Sequence, residues 1–306
     1  MGNFKSGQKK LSVITVCYNE KEIERTCRSI AGQKCQNFEW IVIDGGSTDG
    51  TLEILQHYKG RIDKLVSEPD KGVFDAMNKG IKLAHGEWLN FMNGGDLFAN
   101  DEVVGEFLRR EANADGAGVI YADFYVVYDD GQRRLRTFDG QPLDKRFFYG
   151  DCIGHQASFI RRELFDKYGL YNDAHRIVSD WEKWIEFAEN GVAFRYEDFT
   201  AADFYYNGIS SKMTPKHAAE RGEVIAAHFS KEEIAACEAA KYCRRTAKLF
   251  GVLPLWTFKR KTNGTRIDIL LFGVLPFYKI TQKHGKAKHY LFGILPWLCI
   301  KEKVKD

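Results

Sequence analysis

The chain has 306 residues, 44% of them hydrophobic, with 45 Lys and Arg against 42 Asp and Glu. That length fits one large domain or two ordinary ones, and the apolar fraction excludes a wholly disordered chain. The net charge of +3 hides two unlike segments: residues 241–306 carry fifteen basic and three acidic side chains, a net of +12, and residues 1–240 carry a net of −9. An acidic body with a basic tail points to a tail that seeks a polyanion. The seven cysteines form no CxxC pair, so they fit neither a disulfide framework nor a zinc site. Met1 to Lys10 is polar, without the apolar run of a signal peptide, and the longest apolar stretch, Ile269 to Tyr278, is ten residues. A spanning helix needs about 20. The expectation is a reduced, cytoplasmic chain, soluble or peripheral at the inner face of the membrane.

In chain order, Leu11 to Tyr18 is short and β-branched and reads as a buried strand. Asn19 caps a helix through Ile23, Cys27 and Ile30. A second strand, Phe38 to Ile43, ends at Asp44-Gly45-Gly46-Ser47-Thr48-Asp49-Gly50, and a helix follows over Thr51 to Tyr58. Lys64 to Ser67 is a third strand, Val73 to Ala84 a helix, and Trp88 to Met92 a fourth strand ending at Asn93-Gly94-Gly95-Asp96. This alternation predicts a parallel sheet covered by helices, in which ligands bind beyond the carboxyl ends of the strands. Tyr18-Asn19-Glu20, Asp44 to Asp49 and Asn93 to Asp96 would then converge on one edge. Further on, Val119 to Tyr128 and His155 to Arg161 read as strands, Glu163 to Tyr168 and Asp180 to Asn190 as helices, and Lys216 to Arg245 as a helix-rich segment.

Several of these residues suit chemistry. Asp44 in its glycine-rich turn is either a helix-capping turn or an acceptor for ribose hydroxyls and a base N–H. The segment matches neither dinucleotide- nor phosphate-binding glycine motifs. Asn93 to Asp96 is either a plain turn or a holder of Mg²⁺ or Mn²⁺, whose shell a diphosphate and waters complete. Asp180 is either a carboxylate favoured by a helix start or a general base. His155, in Gly154-His155-Gln156, is either structural or a contact to phosphate or acceptor.

Together these clusters resemble family 2 glycosyltransferases with the GT-A fold, of the bacterial polysaccharide and lipopolysaccharide type. The resemblance rests on Ser12 to Glu20, Trp40 to Thr51, Ser67 to Gly80 and Gly86 to Asp96, in order and at family spacing, and is thinner over residues 150–190. It implies an α/β, Rossmann-like sheet flanked by helices. The implied catalytic domain spans residues 1–240, with a donor half 11–98, an acceptor half of about 99–215 and a helical segment 216–245. It also implies roles. Thr15, Tyr18, Glu20 and Asp44 match positions for the nucleotide base and ribose. Asp75, Asn78 and Lys79 match the segment closing over the nucleotide. Asn93 replaces the first carboxylate of the family's metal motif, which leaves Asp96 as the ligand of a divalent cation. Asp180 matches the base, with Ser179 where an acid usually precedes it, and His155, Trp181 and Glu182 fall on the acceptor side. The implied reaction is transfer from a nucleotide-diphospho-sugar to a hydroxyl of a glycan or lipid-linked acceptor, by direct displacement with inversion.

The tail, residues 246–306, repeats Leu-Phe-Gly-Val/Ile-Leu-Pro at 249–254, 271–276 and 291–296. Proline and glycine disfavour helix, so each unit reads as two short extended arms around a turn. Nine aromatics interleaved with clustered Lys and Arg suit an anionic membrane surface. Packing on the catalytic domain or on another subunit is the alternative, and an oligomer is compatible with either. No nucleic-acid-binding module is present. A non-catalytic scaffold that keeps the fold and works through its repeats is the second function class; Asp44, Asp96 and Asp180 favour the enzyme.

Overall fold

The computed structural model describes residues 9–114, 116–138, 142–206, 208, 211 and 213–240, and, as backbone alone, strand residues between 242 and 301. The chain divides into two compact units, Met1–His228 and Phe229–Asp306.

In the first unit, β1 (Leu11–Cys17), α1 (Ile23–Ala31), β2 (Phe38–Asp44), α2 (Thr51–His57), β3 (Lys64–Ser67), α3 (Val73–Leu83) and β4 (Trp88–Phe91) alternate as the periodicity predicts. Every residue of β1 is buried, which requires cover on both faces and explains its continuous apolar run. β1 pairs in parallel with β2 on one side and β4 on the other, and β3 extends β2, giving the order β3-β2-β1-β4. The order therefore reverses between β1 and its neighbours, and the carboxyl ends of the strands form the crevice edge.

Beyond β4 the sheet is mixed. β8 (Ser158–Arg161) runs antiparallel to β4, β6 (Val119–Val127) antiparallel to β8, and β9 (Phe194–Tyr205) parallel to β6. The two-residue β5 (Leu97–Phe98) pairs with β9, and β7 (Arg133–Arg136) with β6, across the turn at Gly131. Between these run α4 (Val103–Glu111), α5 (Lys145–Gly150), α6 (Glu163–Tyr168), α7 (Ser179–Glu189) and α8 (Pro215–His228). Aromatic rings knit this half to the first: Phe107 of α4 stacks on Phe159 of β8 at 3.9 Å between centroids, with Trp88 edge-on to Phe107.

The second unit begins with α9 (Lys231–Ala240) and continues as an antiparallel meander of β10 (Tyr242–Leu249), β11 (Leu253–Lys261), β12 (Arg266–Leu271), β13 (Leu275–Lys283), β14 (Lys286–Leu291) and β15 (Leu295–Lys301). The helical reading of residues up to 245 is corrected here: Tyr242 to Arg245 belong to β10, because each pairs with β11. Each repeat is a hairpin, with register shifts at Ala247/Lys248, Ile269/Leu270 and His289/Tyr290, opposite the residue that follows each proline. A proline removes a ladder donor, and a bulge is where a strand tolerates that loss. The turn residues 250–252, 272–274 and 292–294 lie outside the described residues.

One close approach fixes α3 on the sheet. A Cβ on Gly80 would lie 2.5 Å from Cγ2 of Ile14 in β1. In an open helix Gly→Ala gains about 1 kcal/mol. Here overpacking against a β-branched core residue, costing roughly 1–3 kcal/mol, decides the sign. Gly80→Ala is expected to lower the urea midpoint, and an unchanged or higher midpoint would refute this packing.

Candidate active site

The expected clusters do meet at the carboxyl edge of the sheet. The β1–α1 turn is clasped to the β2–α2 turn: the Asn19 N–H donates to Ser47 Oγ at 2.8 Å, Thr48 N–H to Asn19 Oδ1 at 2.9 Å, and Glu20 N–H to Thr51 Oγ1 at 2.9 Å. Asn19 takes the left-handed conformation, φ 47°, which asparagine tolerates better than most residues. The clasp leaves Tyr18 63% exposed at the edge.

Asp44, the last residue of β2, is fully buried. Its carboxylate accepts from Ser47 N–H at 3.1 Å, from the Ser47 hydroxyl, and from the Ser67 hydroxyl at 2.6 Å. The buried Cys17 thiol is a fourth, weaker donor, 3.8 Å from Oδ1. Gly45 has no side chain for a physical reason: a Cβ there would meet Asp70 Oδ2 at 2.5 Å. Asp70 thus packs beside Asp44, and burial, its largest influence, raises its carboxyl above the usual value. Sequence reasoning did not single out Asp70, although it stands within the Ser67 to Gly80 segment.

Asn93 to Asp96 is pinned from α1: Gly95 N–H donates to Thr26 Oγ1 and Arg25 Nε to the Gly95 carbonyl, each at 2.9 Å. Arg25 also lies over the Tyr205 ring at 3.6 Å. Asp96 is 7% exposed; Oδ2 accepts from Gln156 Nε2 at 2.5 Å and Oδ1 from Tyr205 N–H at 3.1 Å. Burial pushes its carboxyl up to about 7. Asn93 Oδ1 is a buried oxygen without a hydrogen-bond donor among the described residues. Glu20 lies against this turn, its Cγ 2.9 Å from where a Gly94 Cβ would sit. An acceptor oxygen lacking a donor, beside two carboxylates, fits a cation whose other ligands come from a bound diphosphate. Among the described residues no three His, Cys, Asp or Glu side chains converge into a self-sufficient cation site. Gln156, which orients Asp96, was missed although it adjoins His155 in the sequence.

Two donor-side candidates turn inward. Thr15 is fully buried and its hydroxyl accepts from Trp40 Nε1 at 3.1 Å, so its side chain packs in the core. Asn78 is spent on Tyr171: Nδ2 donates to the Tyr171 carbonyl at 2.9 Å and Oδ1 accepts from its N–H at 3.0 Å. Lys79 reaches the Pro69 carbonyl at 2.9 Å and Glu68 at 3.0 Å, and lies 3.7 Å from Asp75, whose carboxylate accepts from Lys71 N–H at 2.9 Å.

On the acceptor side, Asp180 stands in the first turn of α7 and keeps part of its surface open. Burial pushes its carboxyl up to about 6, against opposing help from the Trp181 N–H at 2.8 Å. Tyr171 and Cys152 are close enough that Asp180 reinforces the effect of burial in raising both. Three neighbours expected at the acceptor are engaged elsewhere. His155 is 5% exposed, stacked on Phe91 at 4.7 Å, with Nε2 2.8 Å from the Tyr171 hydroxyl. Burial drives it down to about 3, so it is a neutral core histidine. Trp181 is 3% exposed, donates to the Phe148 carbonyl at 2.6 Å and carries Arg221 over its ring at 3.9 Å. Glu182 binds His175 at 2.8 Å and Asn172 at 3.3 Å, with His228 at 3.9 Å.

A sequence model of glycosyl transferase family 2 matches residues 12–169. The PGL/p-HBAD biosynthesis glycosyltransferase of Mycobacterium tuberculosis is 32% identical over 216 residues, 69% of this chain and 82% of that protein. A cholesterol galactosyltransferase of Borreliella burgdorferi is 27% identical over 183 residues, 58% of this chain and 48% of that protein. Among solved structures, S. aureus TarS in complex with UDP aligns with a TM-score of 0.57 at 20% identity, over 72% of this chain and 65% of that one. The mannosyltransferase PcManGT from Pyrobaculum calidifontis, in complex with GDP-Man and Mn²⁺, aligns with a TM-score of 0.51 at 16% identity, over 77% and 80%. These structural likenesses establish the GT-A fold.

The Asn78 clip joins α3 to the segment leading into α7. Asn78→Ala leaves two buried backbone groups of Tyr171 unpaired, at a cost of roughly 2–4 kcal/mol. The expected result in urea unfolding is a lower midpoint with an unchanged slope; a variant as stable as the parent would contradict it.

Proposed function

Because the chain belongs to glycosyl transferase family 2 and is a glycosyltransferase, we propose that it transfers a sugar, with inversion, from a nucleotide-diphospho-sugar to a hydroxyl of a glycan or lipid-linked saccharide in surface polysaccharide assembly. The observation that carries this reading is Asp180, a carboxylate at a helix start whose surroundings raise it to about 6, near the ideal for a base working at neutral pH. In the reaction, the acceptor oxygen forms a bond to the anomeric carbon as the bond to the diphosphate oxygen breaks. The hydroxyl proton passes to Asp180, and the leaving electron pair stays on the nucleoside diphosphate. One base suffices, since no covalent enzyme intermediate is needed.

The donor is bound at the sheet edge. Tyr18 offers an exposed ring, and Glu20, Asp44 and Asp75 offer acceptors for base and ribose. Lys79 holds the segment over the nucleotide, while Thr15 and Asn78 support β1 and α3 from within. A divalent cation, Mn²⁺ or Mg²⁺, would neutralise charge on the departing diphosphate. Asn93, through its undonated amide oxygen, and Asp96 would hold it in this chain. Complexes of neighbours with UDP and with GDP-Man and Mn²⁺ support the donor class and the cation. Relatives named for PGL/p-HBAD biosynthesis and for cholesterol galactosylation support a lipid or lipid-linked acceptor.

Residues 246–306 hold the enzyme at an anionic bilayer in this reading, supported by their net charge of +9 and their nine aromatics. Among the described residues no helix is long and apolar enough to cross a membrane. Full-length protein should sediment with anionic liposomes in low salt, and a chain ending at Ala240 should not; equal sedimentation would reject the anchor.

A panel of UDP-, GDP- and TDP-sugars with Mn²⁺ tests the transferase. Asp180→Asn should lower transfer by roughly 10²–10⁴ while donor binding persists. In the parent, kcat should rise through about pH 6 and then level, because the base must be deprotonated. Stability runs the other way. A carboxyl raised in the folded state is stabilising below its unfolded value, and that stability is lost as pH rises through about 6. Asp180→Asn is therefore expected to melt about 2–4 °C higher at pH 8, for a gain on the order of 1 kcal/mol. Full activity in that variant would end the base assignment.

A further inference from the structure

Arg176 lies four residues before Asp180 and is exposed, yet its guanidinium rests on the donor side of the molecule. A Cβ on Gly72 would sit 2.8 Å from Arg176 Nη1 and 3.3 Å from its Cδ. Gly72 has φ +135° and caps the start of α3, so the absence of a side chain there is what admits the arginine. The Gly72 N–H donates to Asp70 Oδ1 at 2.8 Å, and Asp70 packs against Gly45, next to Asp44. Arg176 therefore sits at the end of a short chain of contacts that leads to the nucleotide edge.

Its backbone is fixed and its charge is not. The N–H groups of Arg176 and Ile177 donate to the two carboxylate oxygens of Glu220 in α8, at 3.0 and 2.8 Å, and Glu220 is 5% exposed. The preceding His175 is held by Glu182 at 2.8 Å and Glu223 at 3.3 Å. By contrast, no carboxylate lies within ion-pair distance of the Arg176 side chain among the described residues. Two other cations near the edge are already engaged: Lys79 by Glu68 and the Pro69 carbonyl, Arg25 by Glu22 and the Gly95 carbonyl. A guanidinium on a fixed backbone and without a counter-charge among the described residues, at the rim of a site that must release a diphosphate, has the donor geometry that phosphate oxygens accept in pairs.

We propose that Arg176 binds the diphosphate of the donor and stabilises it as it leaves, and that Glu220 is the positioning residue that presents it. The inference deepens the transferase reading and rests on it. It also links the two halves: the same segment that carries the base at Asp180 would carry the cation that meets the leaving group. Charge developing on the diphosphate then falls on a donor already in place.

The test measures binding of UDP, GDP and TDP, and of the parent nucleosides by competition, to full-length protein and to Arg176→Met, Arg176→Lys and Glu220→Gln. Arg176→Met keeps the stem that packs on Gly72 and removes the charge. It should weaken the preferred nucleoside diphosphate about tenfold or more, leave the nucleoside unchanged and lower kcat. Arg176→Lys should restore part of the loss. Glu220→Gln should weaken the diphosphate in the parent but add nothing in the Arg176→Met background. Equal losses for nucleoside and diphosphate, or no loss, would overturn the role of Arg176 and leave the transferase standing. Additive losses would overturn the role of Glu220. Parent protein that binds none of the three diphosphates and transfers from none of their sugars would sink both readings.

Discussion

Asn78 donates to the carbonyl of Tyr171 and accepts from its N–H, and on this two-way clip hangs the relation between the halves of the first unit. Asn78 belongs to α3, which packs on β1 through the bare backbone of Gly80. Tyr171 begins the segment that leads through His175 and Arg176 to Asp180. Its ring packs against Phe74 of α3, Phe91 of β4 and Phe165 of α6, and its hydroxyl meets His155. A buried amide matched to both groups of one peptide is directional in a way that aromatic packing is not. It fixes the height of the segment bearing Asp180 relative to the carboxyl edge of the sheet, and the rings then fill the space that it defines.

Electrostatics divides the carboxylates by how they are satisfied. Asp44 is fully buried and its carboxyl group accepts from Ser47, Ser67 and Cys17. Asp96 and Asp180 are hemmed in with fewer donors, and burial raises both, to about 7 and about 6. Carboxyl groups raised in this way, in a cleft, are what the proposed roles of Asp96 and Asp180 require. Both raised groups cost stability at neutral pH, a cost borne by the aromatic core behind them.

The legible part of the fold is the part set by local pattern. β1 to β4 and their helices alternate within about 80 residues, and each strand end carries its polar cluster, so both the crevice and Asp44 follow from sequence. What the sequence did not reveal depends on pairings across the chain. Thr15 differs from a site residue only in meeting Trp40, 25 positions away, and His155 only in stacking on Phe91. Trp181 and Glu182 adjoin the base in sequence, but helical geometry turns them toward Phe148 and His175 instead. β5 and β7 are too short to show periodicity, and both exist because β9 and β6 offer them an edge. Arg176 had no motif at all; its interest comes from Gly72, 104 positions earlier.

The tail follows a different logic. Its pairings are between neighbours in sequence, so the repeat is visible both in the letters and in the register. Proline at the second position of β11, β13 and β15 would be a defect in a regular ladder. Placed beside a register shift in all three hairpins, it becomes a periodic feature of the repeat. A sheet built so, from units carrying mostly positive charge, repels itself unless anions are near. Residues 1–240, at −9, include Asp44, Asp96 and Asp180, whereas residues 241–306, at +12, have only three acidic side chains.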